Sequence, residues 1–320
     1  MTEAQDLPVS SPDDLSVVSI VVLSYNRKDA LELNLAGLLR MVDDSGCELV
    51  IVDNASTDGS IELIREAALG RDRVQTLLNE RNLGVAGGRN VGWRAAGRDF
   101  ILNIDDDTFV TADAVVAMLS VIRSRPEIGI VSPCILHART RDKQLHYGEA
   151  ELSIGNFLGG CHMLRRSLLT TVGFNDEACT FGGEELDLSI RARAADLDVV
   201  YTPRATVLHD SRPQQVRENR ERRERWLYNY VRVHHKHFPL ASALPLSLRC
   251  LTSHLVAGTR TNGLSSVPGL LGAAWRGLRD GRRQHRPVGA DVVRFYTNPT
   301  LSPDLGNVPL LHKLRRRTAR

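Results

Sequence analysis

Short apolar runs alternate with amphipathic stretches through the first hundred residues. Residues 17–23, 49–52, 74–78 and 100–104 are rich in β-branched and other apolar side chains, the pattern of strands buried on both faces. Between the first two, residues 27–41 place Leu31, Leu35, Leu38 and Leu39 on one helical face. Residues 60–68 and 85–96 predict two further helices, and Ser56 or Thr57 is positioned to cap the first of them. Four strands with interleaved helices predict a parallel, doubly wound α/β core. In such sheets ligands bind beyond the carboxyl ends of the strands. Residues 24–27, 53–58 and 105–107 all follow predicted strands, so one rim is expected to gather them. Pro8, Pro12 and the surrounding Ser and Asp mark residues 1–16 as an expected disordered leader. Residues 17–211 then form the expected catalytic domain and residues 212–320 a helical C-terminal region.

Composition adds limits. The chain has 320 residues, 42% hydrophobic and 25% charged, as expected of a globular protein. Five cysteines form no CxxC pair and leave an odd count, which argues against a disulfide framework or a zinc site. No signal peptide is visible, and no apolar run approaches the ~20 residues of a spanning helix. A soluble, cytoplasmic protein is the expectation. The net charge of +3 conceals an asymmetry: residues 1–211 hold 20 basic and 32 acidic side chains, residues 212–320 hold 21 and 6. The second region therefore suits an anionic partner, such as a phospholipid layer at the inner membrane face, a lipid phosphate or a nucleotide, or else the acidic half of the chain itself. No nucleic-acid-binding motif accompanies the charge. An apolar row of Leu270, Leu271, Trp275 and Leu278 beside Arg276, Arg279, Arg282 and Arg283 suits a membrane surface, the protein's own core or the partner subunit of a homodimer.

The chemistry concentrates at Asp105, Asp106 and Asp107, three carboxylates after an apolar strand. Hard oxygen ligands at a sheet edge hold Mg²⁺ or Mn²⁺ with positions left for phosphate, although aspartates at such ends also cap turns and helices. The turn after the first strand has no glycine, and no Walker lysine follows it. A dinucleotide fingerprint and a P-loop are thereby excluded, and a metal–diphosphate site remains.

Several ordered segments share a pattern. They are residues 18–27 (VSIVVLSYNR), 50–59 (VIVDNASTDG), Asn79 with 82–90 (NLGVAGGRN), the aspartates 105–107, and residues 159–166 (GGCHMLRR). Residues 172–177 (VGFNDE), 181–191 (FGGEELDLSIR) and 203–209 (PRATVLH) complete the set. In this order they resemble family 2 of the glycosyltransferases, a GT-A-fold group that includes rhamnosyl-, galactofuranosyl- and polysaccharide-chain transferases. The resemblance spans about residues 17–238. It implies a mostly parallel α/β sheet flanked by helices and a hexosyl or deoxyhexosyl transfer from a nucleoside-diphosphate sugar.

The resemblance also implies roles. Ser24, Tyr25, Asn26 and Asp53 would hold the nucleobase of the donor, and Arg89 would reach the base or diphosphate. Asp53 is equally suited to cap its own turn. Asp105 and Asp106 would lie on the donor side, with Asp105 reaching ribose or a metal-bound water. Asp107, with Asp105 and His209, would hold Mn²⁺ or Mg²⁺. Glu185, or its neighbour Glu184, would be the base that takes the acceptor proton in an inverting displacement. The family usually carries Asp at position 185, so the longer Glu leaves the choice between the two open. First-turn acids also complement a helix dipole, and Asp187 is spaced to pair with Arg191. The implied acceptor is a cell-envelope or lipid-linked saccharide or a small secondary metabolite. Two other readings are a sugar nucleotidyltransferase, which would normally carry a glycine- and lysine-rich first loop, and a non-catalytic membrane-surface scaffold.

Overall fold

The computed structural model describes residues 14–145, 147–210, 220–298 and 301–302. The first strand, β1 (Val18–Ser24), is followed by α1 (Lys28–Ser45), β2 (Glu48–Asp53), α2 (Ser60–Ala68), β3 (Val74–Leu78), α3 (Gly84–Ala95) and β4 (Phe100–Asp105). Then come β5 (Thr108–Phe109), α4 (Ala112–Ser124), β6 (Ile128–His137), β7 (Leu152–Ser153), β8 (Cys161–Arg165), α5 (Arg166–Val172), α6 (Glu184–Ala194) and β9 (Asp198–His209). Four helices close the described chain: α7 (Arg220–His237), α8 (Leu240–Asn262), α9 (Val267–Arg283) and α10 (Ala290–Thr297).

The sheet runs β3-β2-β1-β4-β8-β6-β9-β5, with β7 paired to β9. The predicted four-strand half is parallel throughout. The remainder mixes directions: β8 is antiparallel to both β4 and β6, while β6 and β9 are parallel. Register explains the rim. Ser24 lies opposite Asp53, and Leu23 opposite Asp105, so the carboxyl ends of three strands finish level.

Apolar layers cover both faces. On one, Leu31, Leu35, Leu38, Val115, Met118 and Ile122 from α1 and α4 meet the sheet; on the other, Trp93, Leu168 and Leu188 from α3, α5 and α6 do so. Helix α3 lies unusually close to the sheet, because a Cβ on Gly92 would stand 2.4 Å from Val21 Cγ1. Trp93 packs that helix on β4 and donates from Nε1 to Asn103 Oδ1 at 3.1 Å. Leu15, near the end of the expected leader, is buried in the first core, and residues 1–13 of that leader lie outside the described residues.

The C-terminal helices differ from expectation in one respect. Helix α8 is long and apolar enough, by length and composition, to cross a membrane, and only 11% of its most apolar window is buried. Pro245, Arg249 and His254 interrupt its apolar residues in the sequence, which is why no continuous run stands out there. The helix packs along α7, and Cys250, Leu251 and Leu255 lean on Leu227, Val231 and Leu270.

Candidate active site

The turn after β1 sets one wall of the rim. Asn26 adopts φ 51° and Ala55 φ 68°, left-handed conformations that reward short side chains. Each turn holds the other: Asn26 N donates to Ser56 Oγ at 2.9 Å, and Thr57 N donates to Asn26 Oδ1 at 2.7 Å. Asp53 is fully buried, and its Oδ2 accepts from Ser56 N at 2.8 Å. Its Oδ1 has no partner among the described residues. Tyr25 is exposed at the same edge.

The three aspartates diverge. Asp106 turns inward, accepting from Ser24 Oγ at 2.9 Å and facing Arg27 Nε at 3.4 Å. Burial, reinforced by its two acidic neighbours, outweighs Arg27 and pushes its pKa up to about 7. Asp107 is also buried, which by itself would raise its pKa; His209 and Arg27 more than reverse this and hold it below the usual carboxylate range. His209 Nε2 stands 3.1 Å from Asp107 Oδ1, and its Nδ1 stands 2.7 Å from Gln144 Nε2. Burial opposes the imidazolium, but Asp107 prevails and raises the pKa of His209. Asp105, Asp107 and His209 each bring one ligand atom within 4.8 Å of the others. Two carboxylates and an imidazole in that grouping fit a divalent cation. Asp106 belongs instead to the Ser24–Arg27 wall.

Arg89 occupies the centre. Its guanidinium, 3% exposed, reaches Asp105 Oδ1 at 3.0 Å, Glu185 Oε1 at 3.4 Å and Glu184 Oε1 at 3.5 Å. It also donates to the Gly159 carbonyl at 2.9 Å. Burial works against the charged guanidinium, yet the three carboxylates raise its pKa overall. Arg89 thereby joins Asp105 to the two glutamates. Gly159 leaves room beside it, since a Cβ there would lie 2.1 Å from Glu185 Oε1 and would displace that carboxylate. Glu184 is the more enclosed acid, with 3% of its side chain exposed against 15% for Glu185. Burial, and then Glu185, raise its pKa well above the carboxylate norm.

Helix α6 is held from below. Asp187, fully buried, accepts from Arg191 Nε at 2.7 Å and Lys236 Nζ at 2.8 Å, and lies 2.7 Å from His237 Nε2. The expected Asp187–Arg191 pair is present and sits within a larger network. Lys236 and Arg232 extend it to Asp176 at 2.7 and 2.9 Å, which ties α7 to the loop entering α6. Trp226 packs closely against that loop: a Cβ on Gly182 would meet its indole at 1.9 Å. Phe181, Trp226 and Tyr230 continue as an aromatic row with neighbouring centroids 6.1 and 6.4 Å apart. Gln144 and the partners of this network beyond Asp187 and Arg191 were not singled out from the sequence, and Arg27 was read only as part of the 24–27 rim segment. Arg27 ends the family-like VSIVVLSYNR segment, the one signal that marks it, and neither Gln144 nor Lys236 carries any.

The residues from 19 to 183 match the model of glycosyl transferase family 2. The chain belongs to that family. Among its relatives is the poly-beta-1,6-N-acetyl-D-glucosamine synthase of Staphylococcus aureus strain MSSA476, 28% identical over 154 residues, which are 48% of this chain and 36% of the relative. The match thus spans about a third of that relative's length. Two solved structures share the GT-A fold. S. aureus TarS 1-349 in complex with UDP-GlcNAc superposes with TM-score 0.62 at 16% identity, over 94% of this chain and 92% of TarS. The mannosyltransferase PcManGT from Pyrobaculum calidifontis, in complex with GDP-Man and Mn2+, gives 0.56 at 18% identity, over 84% and 85%. The matched residues 19–183 contain Asp105 and Asp107, and the Asp105–Asp107–His209 group suits a divalent metal.

Asp187 binds fewer protons folded than unfolded, because its cationic partners outweigh burial and depress its pKa strongly. Its contribution is therefore complete above the ordinary carboxylate pKa of about 4 and disappears as pH falls below it. Asp187→Asn is expected to lower unfolding stability by about 3–5 kcal/mol at neutral pH, because it takes the buried carboxylate away from Arg191, Lys236 and His237. In acid the gap between variant and wild type should shrink. Urea melts of both proteins across pH check this, and a pH-independent gap would contradict it.

Proposed function

We propose that this glycosyltransferase performs a metal-dependent, inverting transfer from a nucleoside-diphosphate sugar to an acceptor hydroxyl. The observation that supports the reading is the buried Arg89 guanidinium, with Asp105 and the partly exposed Glu185 both paired to it. Asp105, Asp107 and His209 would hold Mn²⁺ or Mg²⁺, which would offset charge on the departing diphosphate. Asp53 receives the donor's base: its buried, unpartnered Oδ1 is an acceptor that otherwise bears a desolvation cost. Ser24, Tyr25 and Asn26 line the same pocket, and Asp106 with Arg27 braces it.

Glu185 is the base. It is the more accessible of the two acids, whereas Glu184 is enclosed against Arg89, with burial and then Glu185 raising its pKa. As the acceptor oxygen attacks the anomeric carbon from the far side, its proton passes to Glu185. The bond to the diphosphate oxygen breaks with inversion, and no covalent enzyme intermediate forms. The Phe181–Trp226–Tyr230 row beside these acids favours a saccharide acceptor, whose apolar ring faces suit aromatic surfaces. We place the end of the catalytic domain near residue 211, with the helices from α7 onward bracing its rim. The nucleotidyltransferase and scaffold readings gain no specific support.

Glu185→Gln is expected to lower turnover on the preferred sugar nucleotide by about 10²–10⁴-fold, the usual worth of a general base, while donor affinity stays within about threefold. Nucleoside-diphosphate release across a panel of sugar nucleotides, beside calorimetric donor affinities, measures both. Undiminished turnover in Glu185→Gln would sink the assignment. Because a proton on His209 competes with a cation and its pKa is raised, Mn²⁺ affinity should climb from about pH 6 to about pH 8. His209→Ala should flatten that rise, and an unchanged slope would remove His209 from the ligand set.

A further inference from the structure

Helix α9 has one face committed to the protein. Leu270 and Ala273 are buried, and a Cβ on Gly277 or Gly281 would meet the α7 carbonyls of Tyr228 and Arg232 at 2.5 and 2.4 Å. The helix therefore lies directly on α7 along that side. At 3.6 residues per turn, the opposite side carries Pro268, Leu271, Trp275, Arg279 and Arg282, flanked by Arg276 and Arg283. This outward stripe is apolar at its start and basic at its end. Trp275 is 64% exposed, and Leu264, in the turn that precedes the helix, is 81% exposed. Asp280 is the helix's single acid and already lies beside Arg279 at 2.8 Å and Arg283 at 3.8 Å.

We propose that the outward face of α9, with the Leu264 turn, docks on the surface of a bilayer rich in anionic phospholipid. Leu264, Leu271 and Trp275 enter the interfacial layer, where an indole's apolar body and polar N–H are both accommodated. The arginines meet lipid phosphates, and their guanidinium forks match phosphate oxygens. A second copy of this chain is a poorer occupant: a two-fold pairing of the stripe would bring arginine-rich surfaces together with one acid per copy to offset them. The inference stands apart from the transfer chemistry and needs no donor or metal.

The test is co-sedimentation of the full chain with vesicles of phosphatidylcholine alone, or with about one-third phosphatidylglycerol. The wild type should pellet with the anionic vesicles at least about tenfold more strongly, and added salt should weaken this. Leu271→Ser/Trp275→Ser and Arg279→Glu/Arg282→Glu should each reduce pelleting at least about tenfold with circular dichroism and donor affinity retained. The wild-type lipid and salt dependence remains a readout even if one variant misfolds. Absence of pelleting with anionic vesicles, or unaltered pelleting by both folded variants, would overturn the proposal. So would a dimer in light scattering that either variant converts to monomer.

Discussion

The buried guanidinium of Arg89 is the contact on which the site depends. Asp105, Glu184 and Glu185 come from β4 and the start of α6, far apart in sequence, and would repel one another without it. Bare carboxylates in a poorly hydrated cleft would take up protons or move apart. One planar cation with several donors satisfies three acids and the Gly159 carbonyl together, which a lysine's compact ammonium does less well. The arrangement depends on glycine as much as on charge, because any side chain at position 159 would occupy the space of Glu185 and Arg89.

A second layer of charge keeps that geometry in place. Asp187 lies one helical turn from Glu184 and is fixed by Arg191, Lys236 and His237. Through Lys236 and Arg232 the same network reaches Asp176, in the loop that leads into α6. Helix α7 is thus coupled to the candidate base by buried ion pairs as well as apolar packing. Helix α7 packs directly against the loop that enters α6.

Half of the sheet was legible in the sequence, because strands buried on both faces announce themselves as apolar runs. The boundaries of α2 and β3 agree with the expected 60–68 and 74–78. Convergence of residues 24–27, 53–58 and 105–107 followed from that topology, and the strand register bears it out. The other half was harder to read. Strand β8 enters antiparallel and has only five residues, 161–165, so its pairing rests on neighbours that no local pattern reveals. The partners of Arg89 are 95 and 96 positions away in Glu184 and Glu185, and Gln144 meets His209 across 65. Such contacts are properties of the fold. Arg89 therefore read as a ligand-binding arginine, and its contacts with the three acids had no local signal.

The central claim is that this rim binds a nucleoside diphosphate through a divalent cation. Its most direct test is calorimetric titration of the purified chain with UDP, dTDP, GDP and CDP, in Mn²⁺ and again in EDTA. The account predicts that one diphosphate binds clearly more tightly than the rest and that EDTA abolishes its binding. Binding to none of the four, or equal binding in EDTA, would contradict it.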